Sequence, residues 1–133
     1  MKIFISFRYT GETYESLVEF FRPVCDVLES AGHQVFCSLW KEEEYKQKQY
    51  LPKEILADAF TEMDSCDALL AVVRSNDRSE GMLMELGYAL AKQKRVYAAV
   101  HSGVVSYVPD VAYSSARFST IEELLTILPR LLA

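Results

Sequence analysis

The hydrophobic positions along the chain change rhythm several times. "KIFIS" (2–6) is β-branched and aromatic, and predicts a buried strand. Over 14–31 the spacing turns helical, with Leu17, Phe20, Phe21, Val24, Val27 and Leu28 on one face. Pro23 predicts a kink in that helix and Gly32 a stop. "QVFCS" (34–38) predicts a second strand, and 51–65 a second helix with Pro52 in its first turn. "DALLAVV" (67–73) is apolar almost throughout, as suits a central parallel strand. A third helix follows over 81–93, and "RVYAAV" (95–100) is a fourth strand. "ARFS" (116–119) predicts a short fifth strand, and Thr120 with Glu123 three residues on predicts a capping box opening a last helix.

The segments between are polar or irregular: "FRYTGET", "RSNDRSEG" and "HSGVVSYVPDVAYSS". "WKEEEYKQKQY" (40–50) pairs Glu42 with Lys46 and Glu44 with Lys48 at helix-supporting spacing, yet its charge reads as a solvated loop. Strands alternating with helices imply an α/β domain. Right-handed crossovers then give a doubly wound, mainly parallel five-stranded sheet of Rossmann-like or flavodoxin-like type. No repeat, low-complexity tract or linker interrupts the chain, so residues 1–133 read as one domain.

Composition narrows the partners. The net charge is −5 and no run of Lys and Arg occurs, which argues against long nucleic acid but not against one small nucleotide. Cys25, Cys37 and Cys66 are far apart in apolar contexts, and His33 and His101 lie at no ligand spacing from them. Buried thiols in a reducing compartment are expected, with no metal. No signal peptide is evident, and the apolar run "ALLAVV" is too short to cross a membrane. A cytoplasmic protein without membrane partners is the expectation. There is no G-x-G-x-x-G, Walker loop or G-x-S-x-G elbow, and no cofactor is expected.

Open α/β sheets bind ligands beyond the carboxyl ends of their strands. Those ends are Ser6 to Gly11, Ser38, Arg74 to Gly81 and His101 to Gly103. Arg8 beside the Thr10–Gly11 turn could hold a phosphate, or lie in a plain surface loop. Ser79 and Gly81 open the third helix, where a hydroxyl and free amides favour an anion; Ser79 could equally be the helix cap, with Asp77 competing. Glu85 sits one turn on, among Met82, Met84, Tyr88 and Ala89, with no Lys or Arg three or four residues away. It is either a surface glutamate or a partly buried carboxylate, and the second carries a desolvation cost that usually marks function.

"DALLAVV…SEGMLMELGYALAKQKRVYAAV", with "KIFISFRYTGE" and "AGHQVF", resembles the nucleoside 2-deoxyribosyltransferase family, which includes the nucleotide N-glycosidases. The resemblance implies that Glu85 is a nucleophile attacking the anomeric carbon of a ribose or deoxyribose and displacing the base. It implies further that Ser79 lies where nucleotide-hydrolysing members hold the 5′-phosphate; Gly81, Arg8, Gly11 and Ser6, at the strand ends and helix start read above, are then the candidates to hold sugar or phosphate. It also implies a small-molecule nucleoside or nucleotide substrate and a homo-oligomer. Residues 40–50 could then form a lid carrying Trp40 and Tyr45 over the base.

Two positions depart from the family pattern. Its base-assisting aspartate would fall at Ala59, and Asp58 beside it is the candidate substitute, although one residue turns a helical side chain by about 100°. Asp64 is a further carboxylate nearby. The family's first-strand tyrosine is replaced by Ile3. These departures motivate the alternative of a nucleotide-binding module that kept the fold and lost the chemistry. "FISFR" and "GHQVF" also resemble a TIR domain, which implies binding or hydrolysis of NAD, or a scaffold.

Overall fold

The computed structural model describes residues 1–133. Five strands alternate with helices: β1 (Lys2–Ser6), α1 (Tyr14–Ser30), β2 (Gln34–Phe36), α2 (Glu42–Gln47), α3 (Pro52–Asp64), β3 (Ala68–Val73), α4 (Glu80–Ala91), β4 (Arg95–His101), α5 (Val108–Val111), β5 (Ser114–Phe118) and α6 (Ile121–Leu131). A 3-10 turn, Ser38–Lys41, leads into α2. The sheet is parallel throughout, in the order β2-β1-β3-β4-β5. This is the doubly wound α/β, flavodoxin-like arrangement expected from the sequence.

The order reverses between β1 and β3. Because crossovers are right-handed, helices leaving in opposite directions cover opposite faces. Accordingly α1 packs with α6, and α3 with α4. Strand β3 lies between β1 and β4 and is buried at all six positions, which is why its sequence shows no alternation. Strand β5, at the edge, alternates instead.

Local signals account for most helix boundaries. Thr13 caps α1 by accepting from the Ser16 amide at 3.1 Å. Pro23 lies inside α1 without ending it. Thr120 caps α6 by accepting from the Glu123 amide at 3.2 Å, but the Glu123 side chain makes no return bond, so only half of the expected box forms.

The segment 40–50 departs furthest from expectation. It is a 3-10 turn and a short helix packed on the body, not a solvated loop. One aromatic decides this: Tyr45 is buried, while Glu43, Glu44, Lys46 and Lys48 face solvent. Strand β2 is also shorter than expected, since Cys37 is extended but the 3-10 turn begins at Ser38.

The core is one cluster running through both faces of the sheet. Phe21 of α1 is fully buried and packs at a tilt against Phe7, just beyond β1, with ring centroids 4.6 Å apart. It therefore anchors the loop that leaves the sheet at the β1/β3 reversal. Phe21→Ala should cost about 3–5 kcal/mol, as large-to-small changes in well-packed cores do. Urea unfolding would show this as a lower midpoint with an unchanged slope.

Candidate active site

Residues from three places meet at the carboxyl edge of the sheet beside the β1/β3 reversal. A cleft of about 710 Å³ opens there. Its walls are the end of β1 and its loop (Ile5, Phe7, Tyr9, Thr10), the α2 region (Ser38, Glu42, Tyr45) with Ile55 of α3, and the start of α4. From α4 and the loop before it come Arg78, Ser79, Glu80, Gly81, Met82, Met84 and Glu85.

Glu85 is placed by β1 as much as by its own helix. The Ser6 hydroxyl, buried at the last position of β1, donates to Glu85 Oε1 at 2.7 Å. No salt bridge reaches the carboxylate. Burial raises its pKa to about 7, and the Ser6 hydrogen bond pulls only partly the other way. A carboxylate near half-ionisation at neutral pH, open to a cleft and free of a cation, suits nucleophilic or electrostatic work on an electron-poor centre.

The start of α4 supplies the anion-favouring end. Ser79 caps the helix by accepting from the Met82 amide at 3.1 Å, so the competing Asp77 cap is not used. Ser79 and Gly81 line the cleft beside Arg78, its one lining cation, which the sequence reading did not single out.

Other expected residues lie elsewhere. Arg8 lines a separate cavity of about 80 Å³ together with Ser79, Arg74 and Arg78. Its guanidinium donates to the Thr10 carbonyl at 2.6 Å and pairs with Glu12 at 3.6 Å and Asp77 at 3.8 Å. Gly11 lines neither space. It serves the turn, with φ of +84°, and a Cβ there would sit 3.1 Å from Arg8 Nη1. Ser6 spends its hydroxyl proton on Glu85 and does not line the cleft.

Asp58 also differs from expectation. It does not line the cleft. Its Oδ2 accepts from Lys41 Nζ at 2.7 Å and from the Tyr45 hydroxyl at 2.6 Å. Burial would raise its pKa, but these two bonds and the Lys41 charge outweigh burial and hold it below the usual range. A carboxylate so held has no proton to lend at neutral pH. The physical reason is the helical turn: Ala59, buried, lies one turn beyond the cleft-lining Ile55, whereas Asp58 is rotated toward α2. Asp64 is engaged too, accepting from the Tyr88 hydroxyl at 2.6 Å. Ile3 is fully buried in β1, and the tyrosines that reach the cleft are Tyr9 and Tyr45. Trp40 stays outside it, its ring covered by the Arg22 guanidinium at 3.9 Å.

The raised Glu85 pKa has a signed consequence for stability. Since the folded value lies above the ordinary 4.5, folding is helped by this group at acid pH, and that help is lost as pH rises from about 4.5 through 7. Glu85→Gln should therefore be stabilising at pH 8, on the order of 3 kcal/mol, with the difference shrinking toward pH 4.5. Thermal unfolding of both proteins across this range checks it.

No curated protein matches the chain by sequence. Among solved structures, the CMP N-glycosidase of Clostridium botulinum superposes with a TM-score of 0.72 at 16% identity, covering 99% of this chain and 100% of that one. The 2-deoxyribosyltransferase of Bacillus psychrosaccharolyticus gives 0.66 at 18% identity, with 94% and 90% covered. A conserved protein from Enterococcus faecalis gives 0.63 at 13% identity, covering 95% of each. At such identities the superpositions establish the shared fold. The model of the family described as nucleoside 2-deoxyribosyltransferase matches residues 14–113, including α3, β3 and the whole of α4 with Glu85. On that match the chain belongs to the nucleoside 2-deoxyribosyltransferase family.

Proposed function

We propose that the protein cleaves or transfers the N-glycosidic bond of a nucleoside 5′-monophosphate, with Glu85 as nucleophile. The observation that carries this reading is the Glu85 carboxylate itself: partly buried, unpaired by any cation, and oriented by Ser6 at the β1/β3 edge. Family membership gives that carboxylate a substrate class. The chemistry follows from its state. As the C1′–N bond lengthens, positive charge grows on the sugar carbon and ring oxygen. An ionised carboxylate in poorly hydrated surroundings stabilises that charge and closes on C1′ to form a glycosyl ester. The electron pair of the broken bond leaves with the base, which takes up a proton from water. Attack on the ester by water or by a second base then restores the carboxylate.

Ser6 acts as a positioning residue. Its hydrogen bond fixes one carboxylate oxygen and leaves the other for attack. Ser79, Gly81 and Arg78 would take the 5′-phosphate, where the first-turn amides of α4 and the Arg78 guanidinium both favour an anion. Arg8, tied to Glu12 and Asp77 in the adjoining cavity, would steady this end without touching the sugar.

Turnover should vanish in Glu85→Gln while nucleotide binding persists, because the lost interaction matters mainly in the transition state. In the wild type, kcat should climb with pH through about 7 as Glu85 ionises. Release of free base from a panel of nucleotides reads both, and a Glu85→Gln protein that turns over at the wild-type rate refutes the assignment.

Monophosphates should also bind more tightly than the matching nucleosides, and Arg78→Ala should erase most of that advantage. Ligand-induced shifts in melting temperature at equal concentration give the comparison. Equal shifts for nucleoside and monophosphate would remove the phosphate site from α4.

A further inference from the structure

With sugar at Glu85 and phosphate at Ser79 and Arg78, a base must face the remaining wall of the cleft, built from Tyr9, Ser38, Glu42, Tyr45 and Ile55. The hydrogen-bond polarity of that wall is fixed from behind. The Tyr45 hydroxyl donates its proton to Asp58 at 2.6 Å, and Lys41, at 2.7 Å from the same oxygen, keeps Asp58 an acceptor. The Tyr9 hydroxyl donates to Glu42 Oε1 at 3.2 Å, and Lys46 lies 3.7 Å from that oxygen. A tyrosine hydroxyl has one proton and two acceptor lone pairs. Once the proton is committed to a carboxylate, only acceptor capacity is left for a ligand. Burial first, and then the carboxylate partner, raises the pKa of both phenols, so neither loses its proton at neutral pH. Glu42, itself lining the cleft, adds further acceptor oxygens. Ser38 and Thr10 are the cleft-lining hydroxyls beside this wall that can turn either way.

We propose that this wall selects bases carrying an exocyclic amino group over their oxo counterparts, with Tyr45 as the specificity-determining residue and Asp58 as the positioning residue that sets its polarity. The inference rests on the N-glycosidic reading above for the placement of sugar and phosphate. An amino group brings N–H donors to a wall of acceptors. An oxo group brings a lone pair against a lone pair, and leaves both sides unpaired once water is excluded. Asp58 thereby acquires a role that does not require it to lend a proton. It also explains why so polar a cluster lies behind a buried tyrosine on a short, highly charged helix.

The test compares matched pairs that differ at this one group: cytidine with uridine 5′-monophosphate, and adenosine with inosine 5′-monophosphate. Affinities are measured by calorimetry on Glu85→Gln, which holds ligand without consuming it, and kcat/KM on the protein with Glu85 intact. The amino member should be favoured by about tenfold or more in whichever pair fits the cleft. Tyr45→Phe should bring the ratio close to one. Asp58→Ala frees the Tyr45 proton to point into the cleft, and should bring the ratio to one or below. Lys41 keeps Glu62 as a partner at 3.6 Å in that variant, and its melting temperature confirms the fold. A merely structural Asp58 would lower both members of a pair alike and leave their ratio unchanged. Amino-selective binding without base release from any nucleotide would overturn the N-glycosidic reading and leave the selectivity standing. Base release with equal or oxo-favouring ratios would overturn the selectivity alone. Failure of both pairs to bind overturns both.

Discussion

The hydrogen bond from the Ser6 hydroxyl to the Glu85 carboxylate joins residues 79 positions apart in the chain. It is short, partly buried, and spans the place where the sheet order reverses. A carboxylate at a poorly hydrated edge would cost several kcal/mol with nothing to accept from. One neutral donor reduces that cost without quenching the charge, as a Lys or Arg would. The compromise leaves Glu85 near pKa 7, neither a surface acid nor a fully neutralised one. The chemistry proposed for the cleft depends on that balance.

The rest of the fold holds the two ends of this bond still. Ser6 is fixed because β1 lies between β2 and β3 and pairs in register with both, Ser6 itself opposite Ala71. Glu85 is fixed because α4 is clamped to α3. Tyr88, one turn beyond Glu85, stacks on Phe60 with ring centroids 4.1 Å apart and donates to Asp64. Lys94, just past α4, donates to the Asp64 carbonyl at 3.1 Å. The Ser79 cap fixes where α4 begins, and hence that Glu85 lies under two turns in. Packing thus aims a side chain that would otherwise explore several rotamers, which is how a site gains the precision that catalysis demands.

Charge around the cleft is divided. Arg78 and the amino end of α4 favour an anion on one side, while on the other the carboxylates behind Tyr9 and Tyr45 turn the wall into acceptors. A ligand with a negative end and a donor-bearing end matches this division. α4 also exposes Leu83 and Leu90, and Met84 at the cleft, unusual apolar cover for a helix whose inner face already packs on the sheet.

Periodicity alone gave the strands and long helices, because each must bury a face whose spacing is written in the residues: β1 as "KIFIS", α1 as a stripe from Leu17 to Leu28. The "MELGYAL" helix likewise marked Glu85, since a lone carboxylate among apolar residues is a one-dimensional signal. The 40–50 segment reads as a solvated loop because its charges outnumber its one buried aromatic, and only packing shows that Tyr45 turns inward. Asp58 lay one residue from the expected place, and a helical turn sent it to Lys41 and Tyr45, away from the cleft. The partnership of Ser6 with Glu85, the entry of Arg78 and the polarity of Tyr45 are contacts between elements remote in the chain. Sequence determined which side chains were available and on which elements. Tertiary structure decided which of them meet, because hydrogen bonds and burial act across space, and no local pattern records a neighbour 79 residues away.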